Sequence, residues 1–283
     1  MREFIRRRPV LTFFAITIIW ICISMPALFA VMQVKSREEI AVQHVILVFL
    51  LNSPSVFGIL LTLVVDGRKG LKALFSRAGR WRVKPGWYVA ALLIPAGMYG
   101  LNYVIQGLFG GEIVPIDVAE KLAFSLPTAL MACLLEEFGW RGFAQPRLQR
   151  RYSALVSTLI VGIGWGLWHA PINYLGLSQF GSMVIPLLAI NWLSNIALSV
   201  PLAWVYNNSR ESLLLVLLGH FSITFGATFF GVPSHPTAAG ELRGAGINVG
   251  IQVLTAIAIV AIASRQWLAR DARIAYNSQE EKL

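Results

Sequence analysis

The sequence predicts an all-α fold: a polytopic membrane bundle of about eight transmembrane helices, forming one integral membrane domain over residues 1–283. Three observations carry this. Hydrophobic residues make up 56% of the chain and charged residues only 13%, against a charged fraction of ~25% in soluble domains. Folded in water, such a chain would leave apolar surface uncovered, so the bilayer is its solvent. Apolar stretches also recur at the ~20-residue length that crosses ~30 Å of hydrocarbon. Finally, the cations sort to alternate loops. Strands of a membrane barrel would be shorter and alternating, a pattern this sequence lacks.

In chain order the spans fall near 10–32, 45–65, 87–109, 122–145, 153–175, 183–206, 212–231 and 246–264. Arg6, Arg7 and Arg8 before the first resemble the start of a signal peptide. The apolar run after them is too long for a signal h-region and no small-x-small cleavage site follows, so an uncleaved first helix is expected. Between the second and third spans, residues 66–85 form a basic loop. Leu71, Leu74, Phe75 and Ala78 repeat there at helical spacing among cations, which predicts a short interfacial helix on anionic lipid. Gly110, Gly111, Gly231 and Gly240 lie in outer loops without a motif.

Counted on alternate sides of eight spans, all but Lys35, Arg37, Lys121 and Arg243 of the 24 Lys and Arg fall on the side of the N-terminus. By the positive-inside rule both termini are cytoplasmic. The net charge of +10 is explained by that placement, and no nucleic-acid partner is expected. Cys22 and Cys133 sit in apolar stretches as packing residues, too few for a disulfide framework or a cysteine metal site.

A charge at mid-membrane costs ~2.5–3.5 kcal/mol on the insertion scale, so each one needs a reason. The candidates are Glu136, Glu137 and Arg141 in the fourth span, His169 in the fifth and His220 in the seventh. Glu137 and Arg141 are four apart with the acid first, the favourable order for a helical ion pair. Glu136 points about 100° away. The geometry suggests a structural Glu137 and a Glu136 free for chemistry. A carboxylate and two imidazoles in one bundle suit general-base activation of water. Glu136, His169 and His220 equally suit a divalent metal such as zinc with an open position. The bland readings are interhelical hydrogen bonds for the histidines, a structural pair for Glu137 and Arg141, and interhelical contacts for Asn191 and Asn195. Spacing alone leaves an enzyme site and a transport pathway both open.

The motifs resemble those of the CPBP family of intramembrane proteases, also called the CAAX protease or Abi family. Glu136-Glu137-Phe138-Gly139-Trp140-Arg141 matches its Glu-Glu-x-x-x-Arg motif. Trp165-Gly166-Leu167-Trp168-His169 matches Phe-x-x-x-His with Trp for Phe, a change that keeps an aromatic face. His220 matches His-x-x-x-Asn/Asp, with Thr224 in the last place, and the stretch from Tyr206 to Leu213 resembles the family's approach to that histidine. The likeness covers residues 122–225. It implies peptide-bond hydrolysis within the bilayer, with a membrane-associated protein or prenylated peptide as partner. By position, Glu136 and His169 would polarise water, His220 and Thr224 would stabilise the oxyanion, and Arg141 would hold Glu137. Thr224 departs from the pattern, because a threonine hydroxyl reaches less far than an asparagine amide, and one oxyanion donor is worth ~10²–10³ in rate. Asn173, one turn beyond His169, is a possible compensating donor.

The depths of the two halves also disagree. His169 lies ~24 Å along a fifth span starting at Ser153, whereas Glu136 lies only ~14 Å from a fourth span's end at Gln145. Tilt or a shifted helix end has to close that difference. The expected protein is a multi-pass intramembrane endopeptidase of a bacterial plasma membrane. The alternatives are a non-catalytic scaffold or bacteriocin-immunity protein of the same fold, and a proton-coupled transporter.

Overall fold

A computed structural model describes residues 2–32, 53–109, 116–231, 237–263 and 268. The start of the second expected span, Gly110 and Gly111, Lys35, Arg37 and the C-terminal cations from Arg265 onward lie outside the described residues. Among the described residues there is no strand. The helices are α1 (Arg2–Arg7), α2 (Pro9–Met32), α3 (Ser53–Ala78), α4 (Pro85–Leu108), α5 (Val118–Gly139), α6 (Ala154–Leu177), α7 (Val184–Asn208), α8 (Leu213–Phe230) and α9 (Ala238–Ile262). A π-helical turn, Trp140–Ala144, and a last α turn, Gln145–Leu148, extend α5.

Local sequence explains several boundaries. Asp117, Ser153, Ser212 and Thr237 cap α5, α6, α8 and α9 by accepting from the backbone N–H three residues on, which satisfies donors that a helix start leaves unpaired. Six stretches are long and apolar enough to cross a membrane. One of them, Ala154–Asn208, folds as two helices, α6 and α7, joined by a 3₁₀ turn in which Gly181 reverses the chain at φ 57°. The chain is thus a polytopic helical membrane bundle of about eight spans, with α3 supplying the described part of the second. The last helix begins at Ala238, about two turns earlier than its apolar run predicts, where Thr237 caps it.

The bundle turns large apolar side chains outward, as a lipid solvent allows, and keeps polar ones inside among an apolar core. Ile23, Ile185 and Leu254 are each about two-thirds exposed, at 66%, 68% and 67%, while Asn102, Gln106, Ser125, Gln145 and Thr158 are fully buried. Of the two cysteines, Cys133 is buried in the core, but Cys22 lies on the exposed face of α2 rather than packing inside.

The basic loop is more ordered than its composition suggests. It continues α3 past a break at Gly67, whose φ of 68° suits only glycine. Beyond the break the predicted interfacial helix is present: Leu74 is fully buried, while Phe75, Arg68, Lys69 and Lys72 are exposed. Arg77 locks this half-helix down, donating to the Tyr206 hydroxyl at 2.8 Å and to the Gly142 carbonyl at 3.0 Å. That carbonyl belongs to the π turn, and Asp66 ion-pairs with Arg147 just beyond it. On the membrane side, α3 crosses α5 so closely that a Cβ on Gly139 would strike the Pro54 carbonyl oxygen.

Candidate active site

Three elements bring the five ionisable groups together. The C-terminal end of α5 and its π turn carry Glu136, Glu137 and Arg141, α6 carries His169, and α8 carries His220 and Thr224. Glu136 is 5% exposed, Glu137 and Arg141 are fully buried, and His220 is 2% exposed. His169 and Thr224 are half-buried.

Glu137 Oε1 accepts from Arg141 at 2.8 Å, the expected ion pair, and also from His220 Nδ1 at 2.6 Å. The second partner exceeds the sequence expectation, which gave Glu137 to Arg141 alone. Since a carboxylate only accepts, His220 carries its proton on Nδ1 and turns Nε2 the other way. Arg141 also donates to Ser199 Oγ on α7 at 3.1 Å and lies over the Trp165 ring at 4.8 Å. Nothing in the sequence pattern marked Ser199. Its only signal is a small hydroxyl facing the one buried arginine of this cluster.

Glu136 lies against different chemistry. Its Oε2 accepts from the indole N–H of Trp165 at 2.6 Å and of Trp140 at 3.3 Å. Its Oε1 has no hydrogen-bond partner among the described residues. The substitution of Trp for Phe at 165 therefore does more than keep an aromatic face, because it adds a donor that phenylalanine lacks. His169 donates from Nδ1 to the Trp165 carbonyl at 3.0 Å, which leaves Nε2 as its free basic nitrogen. Its ring packs edge-on against Trp165 and Trp168.

The depth mismatch resolves at the helix ends. The extension to Leu148 puts Glu136 roughly 18 Å from that helical end, and Trp165 lies the same distance from Ser153. Gln145 donating to Thr158 at 3.0 Å pins that register. Glu136 is thus level with Trp165, and His169 sits one turn deeper. Asn191 and Asn195 differ from expectation: their amides donate to the Leu187 and Asn191 carbonyls of α7 itself, because a short amide reaches its own helix's preceding turn more readily than a neighbour.

Among the described residues no three His, Cys, Asp or Glu side chains gather as a metal set. The trio named from sequence, Glu136, His169 and His220, forms no such set. Each still keeps one atom outside the hydrogen bonds described, Glu136 Oε1 and the Nε2 of each histidine. Thr224 lies one turn past His220 on α8, and its carbonyl accepts from Thr228.

Residues 118–226 match the family model described as type II CAAX prenyl endopeptidase Rce1-like. A CAAX prenyl protease 2 of Methanococcus maripaludis is 28% identical over 181 residues, which are 61% of this chain and 64% of that relative. The alignment thus spans less than two-thirds of the relative's own length. Both findings agree with the likeness carried by the three motifs. The chain resembles the CPBP proteases through the helices that carry the buried acids and histidines.

Proposed function

We propose that this protein, whose segment 118–226 is of the Rce1-like type, is an intramembrane endopeptidase that hydrolyses a peptide bond of a membrane-associated substrate. The observation that carries the reading is Glu136: a buried carboxylate with one oxygen held by indoles and the other without a partner, beside an imidazole with a free nitrogen. An open oxygen alone does not set Glu136 apart, since Glu137 also leaves its Oε2 without a partner; the neighbouring His169, with Nε2 left free by its Nδ1 contact, does.

In this reading water lies between Glu136 Oε1 and His169 Nε2. Glu136 takes one proton, and the water oxygen bonds to the scissile carbonyl carbon, whose oxygen becomes the oxyanion. When the tetrahedral intermediate collapses, the C–N bond breaks and the proton on Glu136 passes to the leaving nitrogen. His220 and Thr224 face the oxyanion. Stabilisation through His220 Nε2 requires the ring to carry both protons, with Glu137 as counter-ion. Arg141 balances the second carboxylate and fixes the turn. No step is routed through a metal.

The substrate class proposed is a prenylated chain end of CAAX type, in line with the name of the Methanococcus maripaludis relative. The test is cleavage of a farnesylated CAAX peptide by the full chain in liposomes. Glu136→Gln and His169→Ala are expected to abolish cleavage while the proteins still insert and melt cooperatively. Full cleavage by either variant sinks the assigned roles. A second reading, a non-catalytic member of the same fold, draws on Thr224, which lacks the amide that the family pattern supplies. It requires that no parent cleavage be found and that Glu136→Gln leave any cellular phenotype intact.

A further inference from the structure

We infer that Trp165 is a positioning residue for the general base: its indole N–H fixes Glu136 Oε2 and so dedicates Oε1 to the water. The inference rests on the reading of Glu136 above and deepens it. The Trp165 contact, 2.6 Å, is far shorter than the Trp140 contact, 3.3 Å, so Trp165 dominates the orientation of the carboxylate. Trp165 is itself immobilised. It is 2% exposed, lies beneath the Arg141 guanidinium at 4.8 Å, and packs edge-on against His220 at 5.3 Å and His169 at 5.6 Å. A carboxylate can turn about its terminal torsion, which is broad. Without the Trp165 donor, only the longer Trp140 contact to the same Oε2 is left to choose between the two oxygens.

The same residue orients the other half of the water site by a separate route, since its main-chain carbonyl holds His169 Nδ1. That separation gives an internal control. Changing the Trp165 side chain leaves Glu136 only the weaker Trp140 contact, while the backbone contact to His169 remains. The ring also fills core volume, so a plain truncation would confuse packing with orientation. The useful substitution is Trp165→3-benzothienylalanine, which keeps the bicyclic shape and replaces N–H by sulfur. Trp165→5-fluorotryptophan keeps the N–H.

The experiment measures kcat and KM for farnesylated CAAX peptide with the full chain in liposomes. Trp165→3-benzothienylalanine is expected to lower kcat about ten- to hundredfold, the range that small misplacements of a catalytic group cost, with KM unchanged. The fluorinated variant restores kcat. Parental kcat in the benzothienyl variant, with Glu136→Gln inactive, overturns the inference and leaves the reading of Glu136 standing. Equal losses in the benzothienyl and fluorinated variants also overturn it, assigning the effect to ring packing. Activity in Glu136→Gln itself overturns the reading of the site and this inference with it.

Discussion

Replacing Arg141 by methionine tests the architecture of the buried charges most directly. Methionine keeps the length and much of the volume of the arginine stem, so the cavity term stays small. What is lost is the 2.8 Å pair with Glu137, the 3.1 Å bond to Ser199 and the stacking on Trp165. Arg141 and Glu137 are both fully buried, so the remaining carboxylate cannot turn to water. Breaking one partner of a buried pair costs ~3–5 kcal/mol. His220 still donates to Glu137 at 2.6 Å, which places the expected loss near the lower end, about 3 kcal/mol. Against a total stability of ~5–15 kcal/mol that is a large fraction. Reversible unfolding in bicelles by SDS would measure it, together with Glu137→Gln and the double variant. Glu137→Gln removes the charge that strands, so the double variant is expected to recover ~2 kcal/mol of the single loss as coupling. A loss under about 1 kcal/mol for Arg141→Met, or additive single effects, would refute the claim that this pair is buried and mutually dependent.

Three further outcomes follow from named contacts. Thr224→Asn supplies the longer donor one turn beyond His220 and is expected to raise kcat at least about tenfold, since one oxyanion donor is worth ~10²–10³; an unchanged or lower rate in a folded variant removes Thr224 from the oxyanion site. Leu74→Ala empties a fully buried position on the interfacial half of α3 and should cost ~2–5 kcal/mol in the same unfolding assay, whereas a near-neutral result would mean that this half-helix floats free of the bundle. Gly139→Ala drives a Cβ into the Pro54 carbonyl and toward Phe13 Cζ at 2.9 Å, and the overpacking is expected to cost at least ~1–3 kcal/mol; parental stability would show that α3 and α5 stand further apart.

The fold was legible because the bilayer writes it into composition. Among the described residues, each apolar run from Pro9 to Ile262 corresponds to a helix, since lipid forces backbone polar groups to pair within one segment. What escaped was where helices stop and bend. Gly67 breaks α3 without ending it, and the helical spacing of Leu71, Leu74 and Ala78 gives only the second half. The π turn at Trp140–Ala144 has no period that a 3.6-residue pattern could detect. Its carbonyl at Gly142 finds a donor in Arg77, 65 positions away in sequence, and no local rule links the two.

The site was legible to the extent that cost makes residues conspicuous. Glu136, Glu137, Arg141, His169 and His220 stand out because each is expensive in hydrocarbon. Helical spacing pairs Glu137 with Arg141, and the 2.8 Å contact follows from that spacing. Tryptophan is cheap in lipid, so nothing in an apolar run separates a packing ring from one whose N–H is spent on a carboxylate. That is why Trp165, which touches Glu136, Arg141, His169 and His220, could be seen from sequence only as an aromatic face. The same reasoning covers Ser199, since serine is tolerated in any bundle interior. The charged residues announce a site, and the residues that orient them go unannounced because their polar atoms are few and already paired. On the reading proposed for Glu136, the aromatic donor beside the acid is what would separate a loose buried carboxylate from one aimed at a single water.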